Sequence, residues 1–113
     1  MWLMTPFGFF SIVCKSDDEA RGTLTIRARV RSDLEALRRH CLPSLGTIID
    51  GGGTDYQYRA KAPRFAVAEA AAEIVRRIDY DNFKNEVSAR QGGHRAHSYG
   101  RVWNALYDLE ESA

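Results

Sequence analysis

Between Thr23 and Arg31 the chain alternates without a break: Leu24, Ile26, Ala28 and Val30 interleave with Thr25, Arg27, Arg29 and Arg31. A strand sends successive side chains to opposite faces, so this pattern describes one buried and one wet face. A chain holding such a strand needs a sheet with one covered face, and something to cover it.

The flanking sequence supplies both. Phe7 to Lys15 is rich in aromatic and β-branched residues and predicts the preceding strand. Phe9, Phe10, Ile12 and Val13 fall on both of its faces, which implies cover on both sides, at least in part. The polar loop SDDEARG, ended by Gly22, joins the two as an antiparallel hairpin. Ser32-Asp33-Leu34-Glu35 has the form of a capping box and opens a helix carrying Leu34, Leu37 and Cys41 on one face. Pro43 and Gly46 stop it.

Thr47 to Asp50 predicts a short strand and Gly51-Gly52-Gly53 a turn. No Lys-Ser/Thr follows, so Gly51-Gly52-Gly53-Thr54 is no P-loop. From Asp55 to Ala62, a strand places Tyr56, Tyr58, Ala60 and Ala62 on the buried side and Gln57, Arg59 and Lys61 on the other. Beyond Pro63, Val67, Ala71, Ile74 and Ile78 recur at helical spacing. Asp79 or Asp81 caps a short helix with Phe83 and Val87. Gly92-Gly93 breaks the chain before a last helix whose buried stripe is Tyr99, Val102, Trp103 and Leu106, with Tyr107 off the stripe.

The order predicts an α+β fold: a four-stranded antiparallel sheet, order 1-2-4-3, with its two main helices on one face. That is a permuted ferredoxin-like arrangement (ββαββα) with one or two extra C-terminal helices. At 113 residues, one domain spanning 1–113 is expected.

Charge narrows the function only a little. The formal net charge is +1, so any nucleic-acid reading rests on local clustering. Cys14 and Cys41 form no Cys-x-x-Cys pair and are expected to be small buried residues in a reducing compartment. The apolar start, MWLMTPFGFFSIVCK, lacks a basic leader and is interrupted by Thr5, Pro6, Gly8 and Ser11. It reads as neither signal peptide nor membrane span, and a cytoplasmic location is expected. No spacing indicates a cofactor or a metal site.

The block TPFGFFSIV, the run GTLTIRARVRSDLEALR and the ending IDYDNFKNEV…RQG…RAHSYGRVWNALYDL resemble a family of small bacterial proteins. The resemblance runs along nearly the whole chain. It implies a bacterial, single-domain, cytosolic protein and carries over no activity and no site residue.

Two sets of residues exceed what a core needs. Arg27, Arg29, Arg59 and Lys61 form a basic patch on the wet sheet face, suited to phosphate or partner contacts, to which Arg95 adds. His94, Arg95, His97 and Arg101 crowd the start of the last helix. A histidine pair beside an arginine can serve acid–base chemistry on a phosphodiester, which makes His94, His97 and Arg101 candidates of a metal-independent nuclease. The preferred expectation is a non-enzymatic interaction or regulatory module. It would bind another protein or itself as a homodimer, by analogy with antitoxin, phage-defence or counter-defence proteins. RNA binding on the basic sheet face is the first alternative and the nuclease the second.

Overall fold

The computed structural model describes residues 1–51 and 55–112, so most of the expected glycine turn lies outside the described residues. The chain divides into two compact units, Met1–Ile78 and Asp79–Ala113. In the first, an antiparallel sheet is built from β1 (Trp2–Thr5), β2 (Gly8–Val13), β3 (Thr23–Ala28), β4 (Ile49–Asp50) and β5 (Tyr58–Pro63). Their spatial order is β1-β2-β3-β5-β4. The expected 1-2-4-3 neighbours are therefore present as β2-β3-β5-β4. The expected four strands are five, because Trp2–Thr5 pairs with β2 at the outer edge.

That added strand is closed by Thr5, whose hydroxyl donates to the Gly8 carbonyl at 2.8 Å and accepts from the Gly8 amide at 3.0 Å. Gly8 itself must be glycine. A Cβ there would stand 2.7 Å from the Phe10 ring and 3.1 Å from the Asp33 carboxyl carbon.

Helices α2 (Arg31–His40) and α3 (Arg64–Arg76) pack on one face of the sheet. Their Leu34, Leu37, Val67 and Ala70 meet Phe10, Ile12, Ile26, Ala28, Ala60 and Ala62 in a single core. Each fully buried large side chain there contributes about 1.5–3 kcal/mol. The alternation of β3 holds for Ile26 and Ala28 against Thr25 and Arg27, but the strand ends at Ala28, Val30 is exposed rather than buried, and Thr25, expected on the wet face, is buried.

Local expectations gave way in several places. The capping box does not form: Ser32 lies inside α2, Val30 is the N-cap without a side-chain bond, and Asp33 turns into the fold to accept from the Phe9 amide at 3.0 Å. The loop after β2 contains a short helix, α1 (Asp18–Arg21). Cys14 is exposed and Cys41 half-buried, so neither is the small buried residue expected. Burial pushes the Cys41 thiol up.

The second unit is helical: α4 (Phe83–Gln91), α5 (Gly93–Ala105) and α6 (Asp108–Ser112). Neither Asp79 nor Asp81 caps α4. Asn82 does, its side chain accepting from the Asn85 amide at 2.9 Å. Gly92, at φ +92° and ψ 168°, makes the break between α4 and α5, a conformation essentially reserved for glycine. Val87 and Tyr99 are buried, and Tyr99 stacks on Phe83 with centroids 6.0 Å apart. Trp103 and Leu106, expected in the buried stripe, are each 53% exposed, and Tyr107 is exposed as its position off the stripe suggested. No helix among the described residues is long and apolar enough to cross a membrane.

Candidate functional site

Strand register places a single row across the sheet face away from α2 and α3. Trp2 pairs with Ser11, Ser11 with Arg27, Arg27 with Arg59, and Arg59 with Ile49. Two arginines therefore stand directly opposite each other on neighbouring strands. Like charges in that relation oppose sheet formation.

Arg27 is held from two sides. Its Nη2 donates to the Ser11 hydroxyl at 2.8 Å, and its guanidinium lies 4.6 Å from the Tyr56 ring centroid. Arg29 approaches the same ring at 4.9 Å. Tyr56 is therefore buried on the arginine side rather than on the helix side, because β5 begins only at Tyr58 and the alternation does not extend back to it. Arg29 is exposed just past the end of β3. Arg59 has no carboxylate partner among the described residues, and the Nε atoms of Arg27 and Arg59 are both buried without an acceptor. A buried donor left unpaired costs about 1–3 kcal/mol, so its presence asks for an explanation.

One end of the row opens into a concavity of about 460 Å³ lined by Lys15, Asp17, Thr25, Ile49, Arg59 and Lys61. Lys61, unlike Arg59, is neutralised. Its Nζ donates to Asp18 at 2.7 Å and to the Thr25 hydroxyl at 2.6 Å, with Asp17 3.5 Å away. Asp18 is fully buried and also accepts from the hydroxyls of Thr23 (2.6 Å) and Thr25 (2.7 Å) and from the Lys15 amide (2.7 Å). Burial alone would raise the Asp18 carboxyl, but the bonds from Lys61, Thr23, Lys15 and Thr25 outweigh it and hold the group far below the usual carboxylate range. Lys61 is raised in turn, the pull of Asp18 and Asp17 exceeding the cost of its own desolvation. At the other end of the row stands Trp2, 68% exposed, edge-on to Phe9 with centroids 5.7 Å apart.

The second unit has its own polar feature. Between α4 and α5 runs a groove of about 410 Å³, whose lining includes Lys84, Ser88, His97, Gly100, Arg101 and Asn104. His97 and Arg101 are thus brought together. His94 is exposed and does not line the groove. Arg95 turns instead to Tyr99, donating to its hydroxyl at 3.2 Å. No cluster of three or more His, Cys, Asp or Glu suited to a metal ion occurs among the described residues.

No protein-family model matches the chain, and no curated protein or solved structure is significantly similar to it. Function must be argued from these two surfaces. Sequence reading identified Arg27, Arg29, Arg59, Lys61, His97 and Arg101. It missed Lys15 and Asp18 on the sheet and Lys84 and Ser88 in the groove. The helical spacing of Lys84 to Ser88 and of His97 to Arg101 and Asn104 was the available signal.

Proposed function

We propose that this protein is a small, non-enzymatic cytoplasmic binding module of bacterial origin, and that its sheet face opposite α2 and α3 takes single-stranded nucleic acid. The reading treats β2-β3-β5-β4, with α2 and α3 behind it, as a permuted ferredoxin-like platform lengthened by β1. One observation carries it: Arg27 and Arg59 face each other across the sheet, and among the described residues no carboxylate pairs with either. A phosphate between or beside them would relieve that repulsion and pair with Arg59. Lys15 in the adjoining concavity adds charge. Trp2 on β1 and Phe9 on β2, two strands and one strand from β3, whose Thr25 lines the concavity, offer aromatic surface for a base.

The test is fluorescence anisotropy with a labelled single-stranded RNA across a salt series. Affinity should fall with salt with a log–log slope near −0.7 for each phosphate neutralised, roughly −1.5 to −2 for two or three contacts. Arg59→Ala should weaken binding and make that slope shallower by about 0.7. Absence of salt-dependent binding at micromolar protein would overturn the reading.

A second reading, binding of another protein or of a second copy, is favoured by the sheet edge. β1 is the end strand of the sheet formed by the described residues, and Trp2–Thr5 contains neither charge nor proline to discourage another strand. A homodimer joined there should appear in light scattering and be lost on Met4→Lys. A strict monomer at high concentration would remove it.

A further inference from the structure

The groove between α4 and α5 is cationic in a way its surroundings do not explain. Three of its side chains, Lys84, His97 and Arg101, are basic, Ser88 and Asn104 supply neutral donors, and none of its lining residues is acidic. The one glutamate of α4, Glu86, is already bound to Arg90 at 2.8 Å. Neither Lys84 nor Arg101 pairs with a carboxylate among the described residues. Cations on a helical hairpin ordinarily find carboxylates one turn away, as Arg90 does. Lys84 finds only aromatic surface, its Nζ lying 5.3 Å from the Trp103 ring centroid.

The floor of the groove is bare by composition. Gly100 faces Lys84, and a Cβ at position 100 would lie 3.7 Å from Nζ. Any larger side chain on that Cβ would extend into the space the ammonium now borders. At about 410 Å³ the groove falls in the range of small-molecule sites, which are commonly found between helices.

We infer that this groove binds a phosphomonoester of nucleotide size, with Lys84 and Arg101 holding the phosphate and Trp103 standing beside it as a platform for a planar base. A phosphate dianion matches the donor set: lysine acts as a point charge, arginine as a planar fork, and the serine hydroxyl and asparagine amide complete the shell. Trp103 does not line the groove itself but is half-exposed and lies against Lys84, so a ring carried past the phosphate on the Lys84 side would meet it. The site is made of residues of the second unit alone and does not rest on the nucleic-acid reading above. The same phosphate chemistry is presented by a free mononucleotide and by the 5′-phosphorylated end of an RNA.

The experiment is a titration of the full-length protein with AMP, followed by the Trp103 indole signal in two-dimensional NMR and by calorimetry. Adenosine and inorganic phosphate serve as separate arms. AMP should saturate and shift the Trp103 resonance, phosphate should compete with it, and adenosine should do neither. Lys84→Gln and Arg101→Gln, both at exposed positions, should each weaken AMP by at least about tenfold with the fold intact by circular dichroism. Gly100→Leu, which fills the floor, should abolish binding without removing a charge. Arg59→Ala should leave AMP affinity unchanged, which separates this site from the sheet face. A 5′-phosphorylated oligonucleotide that displaces AMP, where its 5′-hydroxyl counterpart does not, would assign the RNA end as a source; failure of both would leave the free nucleotide. No saturation by about 10 mM AMP, equal binding of adenosine, or unchanged affinity in both glutamine variants would overturn the proposal.

Discussion

Asp18 is the residue whose replacement should cost the fold most for its size. Its two oxygens receive four donors: Thr23 and Lys61 at Oδ1, Thr25 and the Lys15 amide at Oδ2. The carboxylate is fully buried, whereas the Lys61 side chain is 37% exposed. Removing one partner of a buried ion pair costs about 3–5 kcal/mol. Here the ammonium can rehydrate after Asp18 is lost, which lowers the cost to about 2–4 kcal/mol for Asp18→Ala. Asp18→Asn should be little better, because an amide nitrogen in place of either oxygen would face two donors. Against a typical total of about 5–15 kcal/mol this is a large fraction.

Urea denaturation followed by circular dichroism measures it, and a double-mutant cycle with Lys61→Met should show coupling, the pair losing less than the sum of the singles. The acid limb supplies an independent check. The folded carboxyl sits far below the value of about 3.9 expected in the unfolded chain, so below about pH 4 the unfolded state binds a proton that the native state refuses. Stability from this group is therefore complete above about pH 5 and is lost progressively as the pH falls below that. Asp18→Asn should flatten the limb. The raised Lys61 acts oppositely, stabilising below its unfolded value and fading as the pH rises through its folded one. A variant at position 18 within about 0.5 kcal/mol of the parent, with an unchanged acid limb, would refute the reasoning.

Three further outcomes are expected. Gly92→Ala should destabilise the α4–α5 hairpin by about 1–3 kcal/mol, seen as a lower thermal midpoint, because the backbone there holds φ +92° and ψ 168°. Asn82→Ala should cost about 1 kcal/mol through loss of the bond to the Asn85 amide, with Asn82→Asp retaining most of it in the same melt. A thiol-disulfide reagent on the native protein should modify the exposed Cys14 rapidly and Cys41, whose thiol burial pushes up, slowly; equal rates would contradict the assigned burial.

The sheet was legible where a strand is half-buried. In β3 the period of two follows from the pleat itself, and its register with β5 brings Arg27 opposite Arg59. Legibility ended where a pattern was carried past the element that produces it. Tyr56 has the parity of Tyr58 but lies before the strand, so its ring turns to the arginines. Trp103 continues the helical spacing of Tyr99, yet only Tyr99 is buried, because spacing identifies a face and not where along the helix its cover stops. Ser32 and Glu35 satisfy a capping pattern, but Asp33 between them is drawn to the Phe9 amide, a contact across 24 positions that no local rule contains. β1 was missed because three apolar residues and a threonine before a proline look the same free or paired. In the groove, His97 and Arg101 announced themselves by type. Lys84 and Ser88 join them only once the pairing of α4 with α5 is known.

The near-neutral total charge conceals how unevenly the ions are used. Glu73 is shared by Arg76 and Arg77, Glu86 is held by Arg90, and Glu35 lies one turn from Arg31. Asp17 and Asp18 are both committed to Lys61. These acidic groups are thus engaged, while two sets of cations without a carboxylate partner among the described residues share a surface, Arg59 with Arg27 on the sheet and Lys84 with Arg101 in the groove. With a screening length of about 8 Å at physiological salt, a ligand at either place responds to these nearby charges far more than to the sum over the molecule. Ligands drawn by such patches gain little long-range steering, so their association rates should be ordinary, while their dissociation should respond strongly to removal of a single arginine or lysine. A net charge of +1 is therefore compatible with anion recognition, provided that the recognition is made by contact.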